Sequence, residues 1–225
     1  MTHHAPPLVT VTRNGSRIEI AAASPAAVAL GIAPGMALTQ ARASVPALDV
    51  RDADPDGDRA DLERVAVALA RRWTPIVAIS DPDGLFLDLT GTAHLHGGEE
   101  RMARRIARLL ARLGFTARIA IADTTGAAWA MARFPSPSRG SRAVVRRTAG
   151  EDHTVLAIPP AAQRVALAPL PVAALRLDAE ALELLDRLGV ETIGELLVMP
   201  RAPLVRRFGG AIVRRLDQAT GAAAE

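Results

Sequence analysis

Polar and apolar residues alternate over Leu8–Thr12 and again over Arg17–Ala21, with Asn14-Gly15 between them. A period of two interrupted by that dipeptide predicts a β-hairpin. The period then changes. Ser24-Pro25 opens an Ala-rich stretch that Gly31 ends, the order of a capping serine, a first-turn proline and a terminating glycine expected of a short helix. Pro34-Gly35 reads as a turn, and Leu38–Ser44 as a second short helix stopped by Pro46. Residues 51–61 are polar and acidic and are expected to form a solvated loop leading into a helix N-terminus.

An amphipathic helix is predicted over Asp61–Trp73. Two strands, Ile76–Ser80 and Leu85–Leu89, follow, joined by Asp81-Pro82-Asp83-Gly84, where Pro and Gly take the second and fourth places of a type I turn. In Glu99–Leu113 the residues Met102, Ile106, Leu109 and Leu113 recur at helical spacing, and Gly114 ends the segment. Thr116–Ala122 reads as a strand and Thr124–Phe134 as a helix. Pro135–Arg147, Pro159-Pro160 and Pro169–Pro171 break the composition, and Asp178–Ala219 is helical throughout, with breaks at Gly189-Val190-Glu191-Thr192 and at Gly209-Gly210. The class is α+β, a ferredoxin-like layer of helices over an antiparallel sheet followed by an all-α part, with the junction near residues 165–175.

Composition narrows the chemistry. The chain of 225 residues is 49% hydrophobic and 23% charged, long enough to bury a core and too apolar to be disordered. It has no cysteine and no tyrosine, and all 27 basic side chains are arginine. Disulfides, Cys-ligated metals, thiol nucleophiles, Schiff bases and a phosphate-loop lysine are thereby excluded. Against 24 acids the excess is only +3, so the placement of the arginines matters more than their number. The first ten residues lack the pattern of a secretory leader, and no apolar run reaches membrane length, so a soluble, cytoplasmic protein is expected.

Few residues group as a chemical site. Asp52, Asp54, Asp56, Gly57 and Glu63 match the spacing of a calcium loop, but Pro55 and the helix continuing from Asp58 crowd it. His94 and His96 flank Leu95 and would share a strand face, with no third ligand at useful spacing. Trp73 and Trp129 lie on amphipathic segments and are read as core. Arg101, Arg104, Arg105, Arg108 and Arg112 stripe one helix. A second set comprises Arg139, Arg142, Arg146, Arg147, Arg201, Arg206, Arg207, Arg214 and Arg215.

Three stretches in order carry a family resemblance. ISDPDGLFLDLTG with HLHGGEE resembles the palm hairpin of Y-family (UmuC-type) translesion DNA polymerases. AAASPAAVALGIAPGMALTQARASVPAL resembles their fingers, and LDRLGVETIGELLVMP their helix-hairpin-helix thumb. In detail the chain resembles the non-catalytic ImuB-like branch. The resemblance implies a palm and fingers over 8–165 lacking the N-terminal palm strand, a helical thumb over 172–221, and no little finger.

Active members hold two metal ions with three carboxylates. By the register of Phe86-Leu87-Asp88, the family's Asp-Glu pair falls on Asp83-Gly84, which leaves Asp83 as a vestige. The nucleotide-contacting Tyr and Arg of the fingers fall on Pro25 and Val28, and Asp123-Thr124-Thr125-Gly126 stands where a lysine motif is found. The resemblance therefore implies no catalysis and no cofactor: a DNA-associated scaffold in translesion synthesis and induced mutagenesis. An active lesion-bypass polymerase seen as a fragment, using magnesium, is the alternative. Implied partners are DNA, a sliding clamp, a RecA-like accessory protein and an error-prone replicative-type polymerase subunit, with no membrane. The positions expected to bind nucleic acid are Arg187, Gly189, Thr192, Gly194, Arg206, Arg207, Arg214 and Arg215. Arg176-Leu177-Asp178 replaces the family's Gly-x-Gly at the first thumb hairpin. The Arg101–Arg112 stripe is expected to face solvent or a protein partner.

Overall fold

The structure, a computed structural model, describes residues 6–80, 82–134, 146–149 and 153–225. It divides into two compact units, Met1–Leu69 with Ala78–Leu85, and Ala70–Val77 with Phe86–Glu225.

The first unit opens with the expected hairpin, β1 (Leu8–Asn14) and β2 (Arg17–Ala23), antiparallel with a bulge between Thr10 and Val11. Gly15 turns the chain at φ +61°, a conformation only glycine adopts freely. Ser24 does two jobs at the end of β2. Its hydroxyl accepts from the Leu8 amide at 3.0 Å, pinning the strand end, and from Ala27 at 3.3 Å, capping α1 (Pro25–Ala29). Helix α2 (Leu38–Ser44) follows within the expected bounds. Val9, Val11, Ile20, Ala27, Ile32, Ala41 and Leu48 bury together as the core of this unit.

The expected loop at 51–61 does not exist. Asp49–Asp52 forms a third strand, β3, parallel to β1 with Val9 opposite Val50. Its acidic ends masked it, because the pairing uses backbone groups. Helix α3 starts at Pro55 and runs to Arg72. Asp54 accepts from the Gly57 amide at 3.0 Å and caps it, with Asp56 and Asp58 in the first turn. These acids belong to a helix start and not to a calcium loop.

Strands β4 (Val77–Ser80) and β5 (Gly84–Leu87) pair as a hairpin. In the second unit, α4 (Glu99–Arg112) lies on β6 (Ala117–Ile121) and β8 (His153–Ala157), burying Ala103 and Ala107 against Val155, Ile119 and Ile121. The sheet order is β6–β8–β7, with β7 (Arg146–Ala149) antiparallel to β8 and β6 parallel to it. Both three-stranded sheets are thus mixed rather than antiparallel, and β7 and β8 are additions to the sequence reading. The buried stripe of α4 is Met102, Ala103, Ile106 and Ala107, while Leu113 is 56% exposed. Alanines let the helix approach the sheet closely, which shifts its inward face away from Leu109 and Leu113. His94 and His96 stand on a 3₁₀ turn, Ala93–His96, and not on a strand.

Helix α5 (Thr125–Arg133), α6 (Gln163–Leu167), a 3₁₀ turn at Val172–Leu175, and α7 (Ala179–Arg187), α8 (Ile193–Val198), α9 (Arg201–Phe208) and α10 (Gly210–Thr220) complete the chain. One buried cluster runs from Ala127 and Met131 through Leu167, Leu170 and Leu185 to Leu204, Ile212 and Leu216. The second unit therefore continues through residues 165–175, where the sequence places the palm–thumb junction. Among the described residues no helix is long and apolar enough to cross a membrane.

Candidate nucleic-acid interface

Helix α7 is capped by Asp178, whose carboxylate accepts from the Ala181 amide at 2.8 Å. It ends in a Schellman turn: Gly189, at φ +69°, donates to the Asp186 carbonyl at 2.9 Å and Val190 to Leu185 at 3.0 Å. Thr192 then caps α8 in a full capping box. Its hydroxyl accepts from Glu195 at 3.3 Å, and the Glu195 carboxylate takes the Glu191 and Thr192 amides at 2.8 and 2.9 Å. Those amide bonds hold the Glu195 carboxyl below the usual range. The next two amides also turn inward, Ile193 to Leu170 at 2.9 Å and Gly194 to Ala168 at 2.8 Å.

Every backbone amide from Gly189 to Gly194 is thus satisfied within the protein. A Cβ on Gly194 would meet the Ala168 oxygen at 3.0 Å, so this glycine permits a close backbone approach. Thr192 and Gly194 are accounted for by helix capping and packing.

The arginines differ from one another. Arg187 pairs with Glu183 at 3.2 Å on the exposed face of α7. Arg201 reaches both oxygens of Asp217 at 2.6 Å, and Arg215 approaches Glu225 at 3.3 Å. Arg206, Arg207 and Arg214 are exposed and have no carboxylate partner among the described residues. Their helices bury Leu204, Ile212, Leu216 and Ala219. Arg206 and Arg207 sit in the last turn of α9, where the helix dipole favours cations. The arrangement can neutralise a polyanion through charge, without reading a sequence. Arg139 and Arg142 lie outside the described residues, and Arg146 and Arg147 fall on β7.

Arg176 occupies the left-handed region at φ +56°, and its guanidinium lies 5.5 Å from the centroid of Trp129 and contacts the Glu225 carboxylate. Trp129 is half-buried on the main cluster and also meets Arg133 at 5.1 Å. Its contacts are those of a packed ring. Sequence reading missed the environment of Trp73, which is 5% exposed and borders four arginines. The i, i+3, i+7 spacing of Arg105, Arg108 and Arg112 was the available signal.

Elsewhere, Asp83 is exposed in the β4–β5 turn and Gly84 begins β5. Asp88 follows β5 and accepts from the Thr90 amide at 2.8 Å; hydrogen bonds from Thr90 lower its pKa. Asp123 accepts from the Ala161 amide at 2.9 Å, and Val28 on α1 is 55% exposed. Among the described residues no three His, Asp or Glu side chains group to hold a metal ion. The donor set that two divalent ions require is not supplied by Asp83 with Gly84 beside it.

Residues 4–133 match the family model described as the IMS, impB/mucB/samB family. Protein ImuB of Caulobacter vibrioides is 48% identical over 196 residues, covering 87% of this chain and 39% of that protein. A DNA polymerase IV of Dehalococcoides mccartyi is 28% identical over 205 residues, covering 90% of this chain and 48% of its own length. The chain thus spans less than half the length of either relative. Among solved structures, DinB from Sulfolobus solfataricus superposes with a TM-score of 0.72 at 19% identity, covering 98% of this chain and 61% of that one. The post-insertion binary complex of Dbh DNA polymerase gives 0.74 at 19% identity, covering 99% and 62%. The α+β fold is that of the Y-family polymerase core over most of the chain.

Proposed function

The chain belongs to the Y-family impB/mucB/samB family, and from that premise we propose that it is a non-catalytic member, a DNA-associated scaffold in translesion synthesis and induced mutagenesis. The observation that carries this reading is the Asp83-Gly84 pair at the head of β5, where active members place two adjacent carboxylates. Glycine has no side chain to coordinate a metal. The identity of 48% to Protein ImuB of Caulobacter vibrioides supports the same assignment.

In this reading residues 8–165 are palm and fingers on a ferredoxin-like plan, and 172–221 are a helix-hairpin-helix-like thumb. The α9–α10 pair carries the DNA contacts through Arg206, Arg207 and Arg214, with Arg187 and Arg215 released from their acids when phosphate is near. Gly189, Thr192 and Gly194 shape the hairpin that holds these helices. The partners are DNA, a sliding clamp, a RecA-like accessory protein and an error-prone replicative-type polymerase subunit, met in the cytoplasm.

Primer extension with magnesium and with manganese tests the assignment. The chain should add no nucleotide above background, and Asp83→Asn should change nothing. Metal-dependent extension abolished by Asp83→Asn would establish the active lesion-bypass polymerase instead.

A further inference from the structure

One face of α4 carries a feature that the DNA contacts do not use. Arg72, Trp73, Arg105, Arg108, Leu109 and Arg112 line an open cleft of about 240 Å³. All four arginines are exposed, and none has a carboxylate partner among the described residues. Arg105, Arg108 and Arg112 follow one another at three and four positions along α4, so their charges repel in the free protein. An anionic occupant would relieve that repulsion.

The cleft also offers apolar surface. Leu109 is half-buried among the arginines, and beyond it Leu113 and Phe115 are 56% and 46% exposed at the helix end. Their positions are set by a Schellman turn, with Gly114 donating to Ala111 at 3.0 Å and Phe115 to Leu110 at 2.9 Å. Trp73 forms the wall, its ring 4.6 Å from that of His96 and 4.9 Å from the Arg105 guanidinium. Its Nε1–H is buried with no acceptor among the described residues.

We propose that this cleft docks an acidic segment of a partner protein in which carboxylates alternate with apolar side chains. The carboxylates would pair with the four guanidiniums, which match them in a two-pronged geometry, and an apolar side chain would cover Leu109 and Leu113. A nucleic-acid backbone answers the charge but leaves that aliphatic surface in water. At 5% exposure Trp73 has no open face on which a base could stack. The mixture of arginine and exposed apolar surface is that of a protein interface. The inference rests on α4 and is independent of the scaffold assignment.

Fluorescence anisotropy on the full chain tests it, with a labelled amphipathic peptide of Glu and Leu, a poly-Glu peptide of equal charge, and single-stranded and duplex oligonucleotides. The Glu–Leu peptide should bind saturably and about tenfold more tightly than poly-Glu. Arg108→Glu with Arg112→Glu should weaken it at least about tenfold, Leu109→Ser should weaken it too, and Arg206→Glu with Arg207→Glu should leave it unchanged. Arg108→Ala with Arg112→Ala reads the same loss should the charge reversal unfold the chain, which circular dichroism reports. Equal binding of poly-Glu, or unchanged peptide binding in the α4 variants, overturns the proposal. Loss of oligonucleotide binding in those variants would assign the cleft to nucleic acid. The oligonucleotide arm with Arg206→Glu and Arg207→Glu tests the DNA reading separately.

Discussion

Arg201 and Asp217 meet in a two-pronged ion pair, each guanidinium nitrogen 2.6 Å from its own carboxylate oxygen, and so tie the start of α9 to α10. The pair removes Arg201 from the cations available to a polyanion and leaves Arg206, Arg207 and Arg214 in that role. It should also make the α9–α10 unit sensitive to acid.

The Arg201 hydrogen bond holds the Asp217 carboxyl below its ordinary value of 3.8, partly opposed by burial. A depressed carboxyl stabilises the fold above its unfolded pKa, and the contribution disappears as pH falls through the folded one. Thermal melts from pH 6 downward should therefore show a loss beginning near pH 4 that is smaller in Asp217→Asn, which starts less stable. Parallel curves for the two proteins would show that the pair adds nothing in solution.

In the proposed reading only phosphates are contacted, so DNA affinity should be weak, independent of sequence and steep in salt. Arg206→Ala, Arg207→Ala, Arg214→Ala and Arg215→Ala together should flatten the plot of log affinity against log salt by up to about one unit per lost phosphate contact. Arg201→Ala alone should leave the slope in place. A large change from Arg201→Ala would mean that its pair with Asp217 opens on DNA.

Thr192→Ala separates capping from DNA contact. As a cap, Thr192 should cost about 1 kcal/mol of stability on replacement, read as a lower urea midpoint, with the DNA salt slope unaltered. Weaker DNA binding at unchanged stability would place its hydroxyl on phosphate.

Gly126→Ala probes the contact between α5 and α10. A Cβ there would sit 3.0 Å from the Ala219 Cα and 3.2 Å from its Cβ, beside the bond of 2.9 Å from the Thr124 hydroxyl to the Ala219 carbonyl. The position is in the first turn of α5, where the helix-propensity gain of alanine is small. Overpacking should cost about 1–3 kcal/mol, and an unchanged denaturation midpoint would show that α10 yields freely.

The β1–β2 hairpin, α1, α2 and the four C-terminal helices were legible in the residues themselves. Asn14-Gly15, Ser24-Pro25, the Thr192–Glu195 box and Gly189 act within a few positions of where they stand, so the chain specifies them locally. That Gly84 supplies no carboxylate beside Asp83 was equally visible. Strands β3 and β8 were not, because each is completed by a parallel partner distant in sequence, β1 and β6, through backbone groups that carry no side-chain signature. The roles of the arginines were hidden for a related reason. Arg201 and Arg206 read alike in sequence, and only the fold brings Asp217, 16 positions away, against the first. Tertiary structure likewise decided that Gly194 faces Ala168, that alanines rather than leucines form the inner stripe of α4, and that Trp73 joins the α4 arginines in one cleft. Local signals set where elements begin and end, whereas charge pairing, burial and close approach depend on which distant residues the packed chain brings together.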